Sequence, residues 1–156
     1  MLPKYQKLLV TTDLSPLGNT AVLHAYAILA ERGGTVILWC AVDVSGMPDP
    51  LYAQPTPGET LAEERVEIRE KLFSSLEALV PEEVRAEGKV TTKIRVVEVS
   101  GPIHDTICQE AAAQEVDLIV MASHGYSGMK HLLLGSVAEH VVRLADRPVL
   151  IIRGRK

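Results

Sequence analysis

Residues 117–136 read DLIVMASHGYSGMKHLLLGS, a short apolar run followed by a stretch rich in glycine, serine and histidine. The run DLIVMA (117–122) is short and apolar, which predicts a fully buried β-strand. The stretch after it ends at Gly135-Ser136, where the next helical pattern begins. A buried strand that leads through a glycine-rich segment into a helix is typical of alternating α/β folds.

Four more runs predict β-strands, and a helical pattern lies between successive strands. The strands are KLLVTTD (7–13), TVILWCAV (35–42), TTKIRVVEV (91–99) and VLIIR (149–153). Ser15-Pro16 is expected to open the first helix, because serine caps helix N-termini and proline is favoured at the first helical position. Gly33-Gly34 is expected to end that helix, because glycine tolerates the left-handed conformation that closes helices.

The second helix is preceded by Thr60-Leu-Ala-Glu63, which has the spacing of a capping box. It carries apolar residues at three- and four-residue intervals, which predicts an amphipathic helix with a solvated charged face. Those residues are Val66, Leu72, Phe73, Leu76 and Leu79. Residues 43–58, before this helix, are rich in proline and glycine and predict a long loop, either a lid or a partly disordered segment.

Strands that alternate with helices predict one α/β domain over residues 1–156, built on a parallel sheet with helices on both faces. In such sheets, ligands bind beyond the carboxyl ends of the strands, where the strand order reverses. The segments expected at that edge are residues 11–15, 41–44, 100–101 and the stretch that begins at Ser123. A ligand site is therefore predicted among these four segments.

The composition excludes several other classes of protein. A net charge of -4 and only 4% aromatic residues argue against a nucleic-acid-binding surface. No signal peptide is apparent, and no apolar run reaches the roughly eighteen residues of a membrane span. Cys40 and Cys108 have no metal-ligand spacing and are predicted to be buried small hydrophobic residues. These features predict a cytoplasmic protein without a membrane or nucleic-acid partner.

The glycine-rich stretch offers features of an anion site. Gly125 lacks a Cβ and lets the backbone approach a ligand closely. Gly135-Ser136 opens the last helix, where free amide hydrogens and the positive end of the helix dipole favour a phosphate. The segment Ser136-Val-Ala-Glu139 also has capping-box spacing, so Ser136 has two predicted roles, as a cap and as a phosphate donor.

Asp13 follows the first strand and also has two predicted roles. It can form a turn or cap with Ser15, or it can accept hydrogen bonds from a ribose hydroxyl or an adenine amine. A carboxylate repels phosphates. Asp13 and the Gly135-Ser136 helix start therefore predict a single ligand, with its phosphates near Gly135 and its nucleoside near Asp13.

Other chemistries fit less well. No G-x-G-x-x-G follows the first strand, and no G-x-x-x-x-G-K-[ST] phosphate loop is present. The segment Gly125-Tyr-Ser127-Gly128 is one residue short of a hydrolase nucleophile elbow. His124 is either structural or a ligand contact. The other four histidines receive no role: His24, His104, His131 and His140.

The chain resembles the universal stress protein family along its whole length. The resemblance rests on KLLVTTDLS near the start, DLIVMASHG in the fourth strand and LLLGSVAEHVVRLADRPVLIIR at the end. Its ATP-binding members carry G-x-x-G-x9-G-[ST]. Ala122-Ser-His-Gly125, nine further residues and Gly135-Ser136 match that spacing, with Ala122 in place of the first glycine.

The resemblance implies a Rossmann-like domain whose five parallel strands have the order 3-2-1-4-5, and a homodimer formed through Val149 to Arg153. It implies binding of ATP, AMP or another adenine nucleotide in stress signalling, with Mg²⁺ accompanying ATP and with slow or no hydrolysis. The implied binding residues are Thr12, Asp13, Ala41, Val42, Met121, Ala122, His124, Gly125, Gly135, Ser136 and Val137. Two alternatives remain open: a nucleotide-free dimerisation or partner-binding module, and a hydrolase that uses Ser127 or His124.

Overall fold

The computed structural model describes residues 1–45, 61–125 and 134–154. Strands and helices alternate along these residues as predicted, with one additional short helix. The elements are β1 (Lys7–Thr11), α1 (Pro16–Leu29), β2 (Gly34–Asp43), α2 (Leu61–Glu77), α3 (Glu82–Glu87), β3 (Val90–Val99), α4 (Ile103–Ala113), β4 (Leu118–Ala122), α5 (Ser136–Leu144) and β5 (Val149–Ile152).

The strands form one parallel sheet of five strands in the order β3-β2-β1-β4-β5, which confirms the predicted order. The central strand β1 pairs with β2 on one side and with β4 on the other. The strand order reverses between β1 and β4, because the chain runs outward from β1 to β3 and then crosses to β4. This reversal lies at the carboxyl ends of β1 and β4, the position where ligands bind in such sheets.

Two apolar cores cover the two faces of the sheet. Along β1, Leu8 and Val10 point into the core shared with α1, while Leu9 points into the core shared with α4 and α5. All three side chains have no exposed surface. Alternate residues of a strand face opposite sides, so a strand that is covered on both faces must be apolar throughout. That requirement explains the unbroken apolar runs in the sequence.

The first helix begins as predicted. Ser15 is the N-cap of α1, its hydroxyl accepts a hydrogen bond from the Gly18 amide at 3.1 Å, and Pro16 is the first helical residue. The predicted cap on α5 is wrong. Gly135 is the N-cap with an extended backbone and makes no side-chain cap, and Ser136 is already the first helical residue. The Gly135 amide donates to the Ser123 carbonyl at 2.6 Å, which fixes where the helix starts.

The second helix packs differently from the prediction. Leu76 is fully buried, but Val66 and Phe73 are 54% and 45% exposed. The N-terminal half of α2 is instead tied to β3 by a bidentate pair, in which Arg65 donates to both oxygens of Glu98. The short helix α3 was not predicted, and Gly88 ends it with a φ of 66°.

Some predictions concern residues outside the described ranges. These are the Thr60 capping residue, most of the predicted 43–58 loop, and Ser127, Gly128 and His131. Within the described residues, no helix is long and apolar enough to cross a membrane. Cys40 is buried as predicted, whereas Cys108 is only half-buried, which corrects the prediction for that residue.

Candidate functional site

The carboxyl ends of β1, β2 and β4 and the N-terminal ends of α4 and α5 enclose a cavity of about 420 Å³. This volume lies in the range of small-molecule pockets, about 300–1,000 Å³. Ten of the eleven predicted binding residues line it. They are Thr12, Asp13, Ala41, Met121, Ala122, His124, Gly125, Gly135, Ser136 and Val137. Val42 does not line the cavity, because it follows Ala41 on β2 and its side chain points to the opposite face.

Seven further residues line the cavity and were not named as binding residues, although Thr11 and Ser123 lie in segments expected at this edge. They are Thr11, Gly18, Trp39, Ile103, Ile107, Ser123 and Ala138. Three of them carry a signal that sequence reasoning can use. Trp39 lies two residues before Ala41 on the same face of β2, and Ile103 and Ile107 lie one turn apart on α4.

Hydrogen bonds hold Asp13 in a defined orientation just before the N-terminus of α1. Its Oδ1 accepts a hydrogen bond from the Ser15 amide at 2.9 Å, and the Leu14 amide donates to the Thr12 hydroxyl at 3.0 Å. Leu14 adopts a φ of 63°, a left-handed conformation that is uncommon for leucine. Both predicted roles of Asp13 are thus compatible, since one oxygen makes the turn while the carboxylate borders the cavity.

The glycines of the site are required by this carboxylate. A Cβ built on Gly125 would overlap Asp13 Oδ2. A Cβ on Gly18 would lie 2.8 Å from Asp13 Oδ1 and 2.8 Å from the Thr12 hydroxyl. Gly18 and Gly125 therefore leave the space that the Asp13 side chain occupies. The absence of a Cβ at Gly125 is needed for Asp13 itself and not only for a bound ligand.

The N-terminus of α5 borders the cavity, and its N-cap residue is a glycine. The first amides of a helix have no intrahelical acceptor, and the N-cap residue Gly135 has no side chain to cap those of Ser136 and Val137. Both residues line the cavity. The Gly135 amide is different, because it already donates to Ser123. The donors available to an anion are thus the Ser136 and Val137 amides and the exposed Ser136 side chain.

Ala122 is compatible with the site. It is the last residue of β4, pairs with Ile152 and is absent from the positive-φ residues. Its methyl group therefore causes no backbone strain at a position where related motifs carry glycine. His124 also borders the cavity, and its Nδ1 lies 3.0 Å from the Ser123 hydroxyl, within hydrogen-bond distance.

The histidines predicted to have no role include a contact that sequence reasoning missed. The rings of His104 and His140 stack with centroids 4.4 Å apart and an interplanar angle of 15°. His140 Nδ1 also lies 2.6 Å from the Ser136 carbonyl, so this nitrogen carries the proton and donates. The stack connects α4 with α5. Its two histidines lie close in sequence to residues of the same helices that line the cavity, namely Ile103 on α4 and Ala138 on α5. The two residues are distant in sequence, so no local pattern indicates it.

The cavity wall has polar and apolar parts. Asp13, Thr11 and Thr12 are polar lining residues, while the lining residues Trp39 and Met121 belong to an apolar core cluster. Among the described residues, no group of three metal-ligating side chains is present. The site can therefore accept hydrogen bonds at the Asp13 carboxylate, donate to an anion at the start of α5 and contact apolar groups through Trp39 and Met121.

The sheet order and the cavity at its reversal point place the molecule among the Rossmann-like α/β proteins. The chain belongs to the Universal stress protein family, which matches residues 4–153. This match confirms the family resemblance seen in the sequence motifs.

Curated relatives are similar along almost the whole chain. Universal stress protein MJ0577 of Methanocaldococcus jannaschii is 28% identical, over 96% of this chain and 95% of that protein. Universal stress protein MJ0531 of the same organism is 32% identical, over 97% of this chain and 84% of that protein.

Two solved structures support the same fold. That of MJ0577 superposes with a TM-score of 0.70 at 26% identity, over 97% of this chain and 98% of that chain. A universal stress protein solved in complex with cAMP has a TM-score of 0.61 at 25% identity, over 96% of this chain and 97% of that chain.

Proposed function

We propose that this chain binds ATP, AMP or a related adenine nucleotide in the cavity at the carboxyl edge of the sheet. The observation that carries the proposal is the pairing of an anchored carboxylate, Asp13, with the glycine-capped N-terminus of α5 in one cavity. The cAMP complex of a relative supports the same class of ligand.

The Asp13 carboxylate and the N-terminus of α5 support one proposed orientation of the ligand. Phosphate oxygens accept hydrogen bonds from the Ser136 and Val137 amides, and the helix dipole favours their charge. The nucleoside lies toward Asp13, which accepts from a ribose hydroxyl or an exocyclic amine. The reverse orientation would set a phosphate against the Asp13 carboxylate, which is repulsive.

We propose binding with slow or no hydrolysis. Among the described residues that line the cavity, the titratable side chains are Asp13 and His124, and both have local partners. Asp13 accepts from the Ser15 amide, and His124 is within hydrogen-bond distance of Ser123. Mg²⁺ would accompany ATP through its phosphates, because the described residues do not group three metal ligands.

The outer edge of β5 is the proposed dimer interface. β5 pairs with β4 along one edge, and Leu150 is 36% exposed. An unpaired apolar edge is a template for pairing with another strand, here the same strand of a second copy. We propose that the dimer acts in the cytoplasm in the response to stress, in keeping with its family.

Calorimetry tests the nucleotide proposal. Wild-type protein is titrated with ATP with and without Mg²⁺, and with AMP and cAMP. We expect saturable binding of at least one of these. Gly135→Val is expected to weaken it at least tenfold, because a Cβ there already lies 3.1 Å from the Ser123 carbonyl.

Gly101→Ala is the matched control, because a Cβ at Gly101 meets no atom within 4 Å. The nucleotide proposal fails if none of the four ligands binds wild-type protein. Protein purified without bound nucleotide that also fails to bind in the calorimeter would favour the alternative of a nucleotide-free partner-binding module.

A further inference from the structure

His140 lies one turn after the start of α5, and its side chain reaches back to that start. Its Nδ1 is 2.6 Å from the Ser136 carbonyl oxygen. A carbonyl oxygen only accepts, so Nδ1–H is the donor. In an α-helix the same carbonyl also accepts from the backbone N–H four residues later, and its oxygen has two lone pairs. The imidazole therefore adds a second hydrogen bond to this carbonyl.

The neighbouring helix restricts the His140 ring. His104 on α4 stacks against it, with ring centroids 4.4 Å apart and an interplanar angle of 15°. His104 is partly buried, whereas His140 is exposed. An exposed side chain loses rotamer freedom when it keeps one hydrogen bond, and that loss opposes the bond. A ring that is already held by a stacking partner loses less freedom, so the contact from α4 favours the bond to Ser136.

The Ser136 carbonyl shares a peptide group with the Val137 amide. The C=O of one residue and the N–H of the next are conjugated in a single planar unit. Hydrogen bonds in a chain polarise one another, so a donor on the carbonyl makes the N–H of the same unit a stronger donor. Val137 lines the cavity, and its amide is one of the proposed phosphate donors. The effect of His140 therefore extends to the proposed phosphate contact.

We infer that His140 is a positioning residue of the phosphate subsite, which acts through the Ser136–Val137 peptide group to orient and strengthen the Val137 N–H as a phosphate donor. The inference rests on the proposed function and deepens it. His140 is not among the described residues that line the cavity, so it acts through another group rather than by touching the ligand. The nucleoside contact at Asp13 lies before α1, outside this peptide group. His140 should therefore raise the affinity for a nucleotide but not for its nucleoside.

The test is a matched pair of variants, His140→Thr and His140→Val. A threonine hydroxyl in a helix can donate to the carbonyl four residues earlier, whereas valine has the same shape and no donor. Both variants lose the stack with His104 equally. Calorimetry gives their dissociation constants, and those of wild-type protein, for adenosine and for whichever of ATP, AMP and cAMP binds wild-type protein most tightly.

We expect His140→Val to bind the nucleotide about threefold more weakly than His140→Thr does, because only threonine restores the donor to the Ser136 carbonyl. Adenosine should bind all three proteins alike. A merely structural role would weaken nucleotide and nucleoside binding together, and that result overturns the inference. Equal nucleotide affinity of the two variants overturns it as well.

Thermal melting verifies that the two variants fold alike at this exposed position. If adenosine does not bind wild-type protein measurably, the difference between His140→Thr and His140→Val for the nucleotide decides alone. Failure of wild-type protein to bind any adenine nucleotide defeats the proposed function and this inference together. Normal nucleotide binding that does not distinguish threonine from valine defeats only the inference.

Discussion

The carboxylate of Asp13 occupies the space beside Gly125 that a Cβ would fill. Asp13 Oδ2 overlaps the ideal Cβ position of Gly125, while Asp13 Oδ1 accepts from the Ser15 amide. The acidic residue after β1 and the glycine after β4 are thus complementary in shape. Either of them can be understood only with the other, although they are far apart in the chain.

We predict that Gly125→Ala displaces Asp13. The added methyl group overlaps a carboxylate that is held by a backbone hydrogen bond, so the side chain or the backbone must shift. We expect a loss of about 1–3 kcal/mol in the free energy of unfolding, typical of overpacking, and weaker nucleotide binding. Denaturant unfolding and calorimetry measure the two effects. Gly101→Ala should change neither, and equal behaviour of the two variants would contradict the prediction.

The two serines at helix starts are predicted to differ. Ser15 caps α1, so Ser15→Ala should lower the free energy of unfolding by about 1 kcal/mol. Ser136 is exposed and caps nothing, so Ser136→Ala should change that free energy by less than about 0.5 kcal/mol. Ser136→Ala should instead weaken nucleotide binding. Urea unfolding of both variants checks the contrast, which would be refuted if Ser136→Ala were the more destabilising.

Thiol reactivity should follow burial. Burial, aided by the nearby Asp13 charge, raises the pKa of Cys40 to about 11. Burial also raises the pKa of Cys108, which is less deeply covered. A raised pKa means less thiolate at neutral pH, so both thiols should react slowly with a disulfide reagent at pH 8. We expect Cys108 to react first, the rate to rise about tenfold per pH unit, and both to react at once in denaturant. Rapid labelling of native Cys40 at pH 7 would be inconsistent with this.

Proline at Ile151 tests the β5 edge without breaking the sheet. The carbonyls of Pro148 and Ile152 accept hydrogen bonds from β4, so the intervening Val149 and Ile151 turn their backbone groups to the open edge. Ile151→Pro removes an outward-facing N–H and should give monomers or aggregates with the fold retained. Light scattering and circular dichroism measure the outcome.

The comparison variant for this edge is Leu150→Pro, whose backbone faces β4 and which should destabilise the fold itself. A wild-type dimer that persists unchanged in Ile151→Pro would place the interface elsewhere.

The fold was predictable because the central strands β1 and β4 and most of β2 are apolar runs that lie between buried faces. Leu8, Leu9 and Val10 are consecutive apolar residues of one strand, and all three are buried only when the sheet is covered on both faces. The predicted sheet places the end of β4 and the start of α5 at the same edge, and most of the residues that line the cavity lie there or at the end of β1. The short helix α3 was missed because its six residues lack an apolar period.

Other details depended on contacts that local patterns do not encode. Ser136 has capping-box spacing, but the hydrogen bond from the Gly135 amide to Ser123 starts the helix one residue earlier. Val66 and Phe73 follow a helical period, yet they lie on the exposed side of α2. The sequence pattern around Trp39 indicates an ordinary core residue, and only the structure shows that Trp39 also lines the cavity.

The hydrogen bond between the Gly135 amide and the Ser123 carbonyl joins the two ends of the glycine-rich segment at its base. The hydrogen bond thereby connects the end of β4 with the start of α5, and both of these line the cavity. Loss of this one hydrogen bond would therefore free the end of β4 and the start of α5 at the same time, so the two elements hold the pocket as a unit.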